Sequence, residues 1–170
     1  MRGGVILTAF SALLAVQFLW PTTLVALIGI PLSIAAGTYT AFLFAQAKAR
    51  DLWQSPLLLP QHLTQCVMAG CAVWSVAGRG AVTGLFLATL INIFLIAAEV
   101  LMPHVTAHAR LAVREMTRGR YRLAFFVGLA MQIAGIVFIG APQIAAALIL
   151  IGLFAYEHAH VGAGQAVPLA

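Results

Sequence analysis

Charge is what this chain has least of. Only 8% of its 170 residues are Asp, Glu, Lys or Arg, where a soluble domain carries roughly 25%. Acidic residues are scarcest, with four in all. A water-soluble globule of this size could not hide a 63% hydrophobic composition or a mean hydropathy of +1.04. The shortage excludes a soluble enzyme domain and a disordered chain. A pI near 10.0 does not mark a nucleic-acid binder, because the basic residues sit in short stretches between apolar runs. Cysteine is nearly absent. Cys66 and Cys71 fall on different faces of one helical run, so they offer neither a clip nor a metal pair. Nor can they supply the ligand set of an iron–sulfur cluster. CxxC, HExxH and Walker A motifs are missing as well.

What is present is apolar sequence in lengths that fit a bilayer. A spanning helix needs about 20 residues at roughly 1.5 Å rise each. The first run, Val5 to Ala47, is about twice that length and divides at Trp20-Pro21-Thr22-Thr23. We expect a short first segment within 1–21 (5–20 apolar), then a helical bundle over 22–170. Its spans run about 22–47, with Pro31 bending the helix, then 61–77, 81–102, 123–140 and 142–157. Gly78-Arg79-Gly80 and Ala141-Pro142 make the turns, and residues 158–170 form a polar, Gly-rich tail. The predicted class is all-α: a polytopic transmembrane helical bundle of about six spans. Ala107–Met116 is amphipathic and is expected to lie on the membrane surface.

Basic residues choose the side. With six spans, Arg2, Lys48, Arg50 and the arginines at 110, 114, 118, 120 and 122 share one face, and Arg79 stands alone on the other. The positive-inside rule makes the rich face cytoplasmic, together with both termini and the loop 103–122. Trp53, Tyr121 and Tyr156 then mark the cytoplasmic boundary, and Trp20 and Trp74 the opposite one. Arg79 is expected to snorkel to headgroups.

Ionisable groups in a membrane are expensive and need a partner or a task. Glu99 is the clearest. Asn92 precedes it by seven residues on the same helical face, and His104 follows just past Pro103. The three could hold or pass protons, or Glu99 could pair with a loop arginine. Tyr39, between Thr38 and Thr40, could donate to a quinone carbonyl or to a neighbouring helix. Gln61, His62 and Gln65 open the third span. His62, His104 and His108 lie at or beyond helix ends, which is poor placement for haem. Glu157, His158 and His160 read as a solvated helix end. Gly80 and Gly84 form a GxxxG start to the fourth span.

Three stretches carry a resemblance. The first joins Gly37-Thr38-Tyr39-Thr40-Ala41-Phe42-Leu43, Arg50-Asp51-Leu52-Trp53 and Ser55-Pro56 to Pro60. The second has Glu99 with Pro103-His104-Val105-Thr106, then Gly119-Arg120-Tyr121. The third is Gly164-Gln165-Ala166-Val167-Pro168. In order and spacing they resemble the second half of NrfD/PsrC-type membrane subunits, whose pattern runs YTG-x-LL, R-x-x-W, P-x-x-P. Ala41 stands where that family has glycine, and a full member is about twice as long. The resemblance implies a haem-free anchor in the bacterial inner (cytoplasmic) membrane. It would couple an iron–sulfur, ferredoxin-like partner and a molybdopterin catalytic subunit to menaquinone or ubiquinone. The missing half is expected as a second membrane chain. Tyr39, Asn92, Glu99 and His104 are then the quinone or proton-transfer candidates. Arg50, Trp53, Arg110, Arg114 and Arg118 are the partner-contact candidates. A structural or assembly subunit without redox work, or a small secondary transporter, stands as the alternative.

Overall fold

The computed structural model describes residues 2–78 and 80–168, with side chains from residue 4 onward. Every regular element among them is helical: α1 (Arg2–Leu19), α2 (Thr23–Ala45), a 3-10 turn (Asp51–Gln54), α3 (Leu58–Val76), α4 (Val82–Leu101), α5 (Ala107–Thr117), α6 (Arg122–Val137) and α7 (Pro142–Ala166). The breaks fall at residues that break helices. Pro21 separates α1 from α2, and the Thr22 side chain accepts the Val25 amide at 3.3 Å as an N-cap. Gly78 and Gly80 both take positive φ, 73° and 75°, where a side chain would be strained. Arg79, expected to snorkel, lies outside the described residues. Pro142 opens α7 at its first turn, where its missing N–H costs nothing.

By length and composition, three helices are able to cross a membrane: Thr23–Ala45, Val82–Leu101 and Pro142–Ala166. A fourth is added if α5 and α6, which meet at 68°, count as one bent span. The remaining runs fall short for different reasons. The α1 run is apolar but short. In α3, Gln61, His62, Gln65 and Ser75 are spread along one face, and all four are buried inside the bundle.

The closest packing joins α6 to α7. A methyl carbon built on Gly152 would lie 2.7 Å from the Gly128 carbonyl oxygen, and one on Gly128 would lie 2.8 Å from the Gly152 oxygen. Gly135 meets Ala145 and Ile149 in the same way. Small residues let the two backbones touch, the usual device where lipid supplies no hydrophobic drive between helices. Of the Gly80–Gly84 pair, only Gly84 serves packing, against Cys71 of α3. Gly80 has nothing near it. Cys66 faces Gly37 of α2 instead, so the two cysteines do look toward different helices.

Two expectations need correction. The apolar face of α5 (Ala109, Ala112, Val113, Met116) is buried, packed on α6, α7 and the 3-10 turn rather than on lipid. And α7 does not end near 157. It continues to Ala166, because its small residues let it pack closely: Gly162 lies against Tyr121, Gly164 against Trp53, and Ala159 and Ala163 are fully buried. Arg50 closes that end, donating to the carbonyls of Gly164 (2.6 Å) and Val167 (3.2 Å), which have no partner within the helix.

The α6–α7 contact makes a contrast testable in detergent. Gly152→Leu should lower stability by about 1–3 kcal/mol, the usual penalty of overpacking. Gly70→Ala, with open space around the new methyl, should be neutral or stabilise by up to about 1 kcal/mol. Thermal melts of both variants check this, and equal melting points would refute the glycine contact.

Candidate functional site

The buried face of α3 sets up the site. Gln61 donates from Nε2 to the Tyr156 hydroxyl of α7 at 2.5 Å. One turn on, Gln65 donates to Glu157 at 2.6 Å. The Tyr156 hydroxyl also faces His160 Nδ1 at 3.5 Å, with the two rings stacked. His62, on the same stretch of α3, binds the Leu58 carbonyl through Nδ1. Glu157 follows Tyr156 directly in α7 and is held by Gln65, one turn along α3 from the Gln61 that binds the phenol.

Glu99 is 1% exposed. Its Oε2 accepts the Ser55 hydroxyl at 2.5 Å, and its Oε1 is buried without a partner. The Ser55 oxygen in turn accepts the Leu57 amide at 3.2 Å. The alternative of an ion pair is not realised: no arginine contacts Glu99 among the described residues. His104 approaches the Glu99 main-chain carbonyl, at 3.0 Å, rather than its carboxylate. Arg110 is occupied on the carbonyls of His104 and Val105.

The other candidates separate. Asn92 shares the Glu99 face of α4, but buried Ile96 lies between them. Asn92 belongs to a second buried pair, donating Nδ2 to Gln132 Oε1 of α6 at 2.8 Å. Its own Oδ1 and the Gln132 Nε2 are left unpaired. Tyr39 is half-buried on α2, outside the cluster, with no hydrogen-bond partner among the described residues. Arg50 and Trp53 are turned inward. Trp53 is 7% exposed and packs on Gly164, with the Arg50 guanidinium 5.9 Å from its ring centre. Arg114 and Arg118 are exposed and remain open to a partner.

Sequence reading missed Ser55, Tyr156, Gln132 and His160 as members of buried networks. It also left Glu157 at a solvated end, where the structure bonds it to Gln65. A usable signal existed for α7: Tyr156 and His160 stand at i, i+4, the spacing that puts two side chains on one helical face.

No family model, no curated protein and no solved structure matches this chain.

The Asn92–Gln132 pair gives a stability test. Removing one partner strands a buried amide, at a cost of about 1–3 kcal/mol, whereas replacing both with apolar groups can be nearly neutral. Asn92→Leu should therefore melt lower than Asn92→Leu/Gln132→Leu. A double variant no better than the single would show that the pair does not act as a unit.

Proposed function

We propose that this chain is a haem-free, multi-pass subunit of the bacterial inner membrane that works inside a respiratory complex. In this reading it links an iron–sulfur, ferredoxin-like partner, itself joined to a molybdopterin catalytic subunit, to the quinone pool. The observation that carries the proposal is Glu99. It is a buried carboxyl group that no arginine or lysine contacts among the described residues, bonded to a serine hydroxyl. Such a group is too costly in a membrane to keep for packing alone. With the buried Tyr156–His160 pair elsewhere in the bundle, it gives the chain carboxyl, phenol and imidazole groups suited to proton exchange with a two-proton carrier such as a quinol. The chain's likeness to the second half of NrfD/PsrC-type subunits supports the same reading. A companion membrane chain would then supply the other half.

The proposal includes six crossings. α3 qualifies despite its polar residues because the bundle, not lipid, covers them. α1 and α6 are short but end beside interfacial residues. Both termini and the arginine-rich segment after α4 are placed in the cytoplasm by the positive-inside rule.

Purification from native membranes tests this: bound quinone and a co-purifying iron–sulfur protein are expected, and isolation with neither would end the reading. Within the complex, Glu99→Gln should lower quinol turnover by about 100-fold or more, in the range of general acid–base effects. Tyr156→Phe should lower it less, because the ring packing survives. Normal turnover in both variants would instead favour a purely structural subunit.

A further inference from the structure

We infer that a small pocket beside Ser55 is a ring-binding site that selects the reduced, hydroxyl-bearing form of a quinone over the oxidised form. The inference rests on the quinone-linked reading above and assigns it a place and a redox preference.

The pocket lies where α2 ends and α3 begins. Ala41, Ala45 and Phe42 form one wall, Leu58 and Leu59 another, and Trp53, Gln54 and Ser55 the floor. Its volume is about 110 Å³. An engineered apolar cavity of roughly 150 Å³ takes up benzene, so a pocket of this size, open on one side, suits a single six-membered ring. Exposed apolar side chains, Phe42 (58%) and Leu59 (38%), border its opening, as suits a mouth turned toward lipid. A ring carried on an isoprenoid tail would enter from there.

Polarity is what sets the preference. Ser55 gives its only proton to Glu99 and one lone pair to the Leu57 amide. What remains is a lone pair, so Ser55 can accept but not donate. Gln54 uses its Nε2 on the carbonyls of Ala45 and Ala47, which leaves its side-chain oxygen as an acceptor. The indole N–H of Trp53 has no hydrogen-bond partner, but its nitrogen is fully buried beside Gly164 of α7 and shows no surface to the pocket. The surface of the site therefore offers acceptors and no donor. A quinol, with two O–H groups, can satisfy them. A quinone, with carbonyl acceptors only, would set oxygen against oxygen. Glu99 acts as a positioning residue, since its Oε2 accepts the Ser55 proton and so fixes which way it points.

The full chain, with Trp20 and Trp74 replaced by Phe so that Trp53 is the sole indole, allows a direct titration. The probes are a short-chain alkyl benzoquinol kept reduced under argon and the matching benzoquinone. We expect a saturable change in Trp53 fluorescence, with the quinol bound about tenfold tighter or more, the scale of one good hydrogen bond gained against one repelled. Ala45→Phe, which fills the pocket, should abolish both signals. Glu99→Gln offers an amide donor to Ser55, frees the serine proton for the ligand, and should collapse or reverse the preference. Ser55→Ala, in a loop outside the helices, should weaken quinol about tenfold and quinone little, which keeps the test sharp if Glu99→Gln does not fold. Equal affinity for the two forms, or quinol binding indifferent to Ala45→Phe, would overturn the inference. If the native complex oxidises quinol while the Trp53 titration stays flat, the pocket is wrong and the quinone role stands. If neither quinol oxidation nor binding occurs, both fall.

Discussion

Lipid cannot accept the polar face of α3, and the bundle is arranged around that constraint. Gln61, His62, Gln65 and Ser75 are all buried. Left facing hydrocarbon, Gln61 and Gln65 would lose their hydrogen bonds to Tyr156 and Glu157 at a cost of several kcal/mol. Two helices cover the face, and they do so with matched chemistry. α7 brings Tyr156 and Glu157 to the two glutamines. α4 brings Glu99 to Ser55, just before α3 begins. The same constraint sets the length of α7. To seat Tyr156 and His160 against α3, and then Gly164 under Trp53, it must stay helical through a Gly- and His-rich stretch that would fray alone in water.

Glycine makes this covering possible. Gly128 and Gly152 let α6 and α7 touch backbone to backbone. Gln132, one turn beyond Gly128 on α6, then reaches Asn92 of α4. The two buried networks therefore depend on one close helix pair. Larger residues at that contact would push α6 outward and separate the Asn92–Gln132 amides, and at Gly128 they would also press on Tyr156, whose backbone nitrogen lies 2.7 Å from a methyl built there.

Much of this was written plainly in the sequence, for physical reasons that are easy to name. Pro21, Gly78, Gly80 and Pro142 end or start helices through backbone chemistry that needs no tertiary context. Glu99 announced itself because a carboxyl group in an apolar run is costly wherever it lies. Partners were harder. Ser55 lies 44 positions from Glu99, and Gln61 lies 95 from Tyr156, so no local pattern joins them. Tyr156 resembled an interfacial aromatic, and its burial is decided only by α3. The amphipathic α5 was legible as a helix but not in its contact. An apolar stripe fits lipid and protein equally well, and the 3-10 turn with Trp53 claims it here. Arg50 looked like an open loop charge until the free carbonyls at the end of α7 gave it a use.

Order in the packing bears on where movement is cheapest. α6 and α7 are locked by glycine contacts, and α3 is tied to α7 and, through Ser55 and Glu99, to α4. The hairpin of α1 and α2 is held more lightly: α1 packs chiefly on α2, and of the α2 side chains only Ala36 and Ala41 are buried. Loosely covered elements with few buried contacts open at the lowest free energy. The wall formed by Ala41, Phe42 and Ala45 belongs to this lightly held helix, while the floor with Ser55 is fixed through Glu99 to the bundle. Flexing of α2 at Gly37, where it meets Cys66, would widen the space beside Ser55 and leave the Ser55–Glu99 and Gln61–Tyr156 bonds intact, with Gln54 still tethering the end of α2 through Ala45. Rigid chemistry on one side and a compliant apolar wall on the other lets a pocket change its width while its polar groups stay in register.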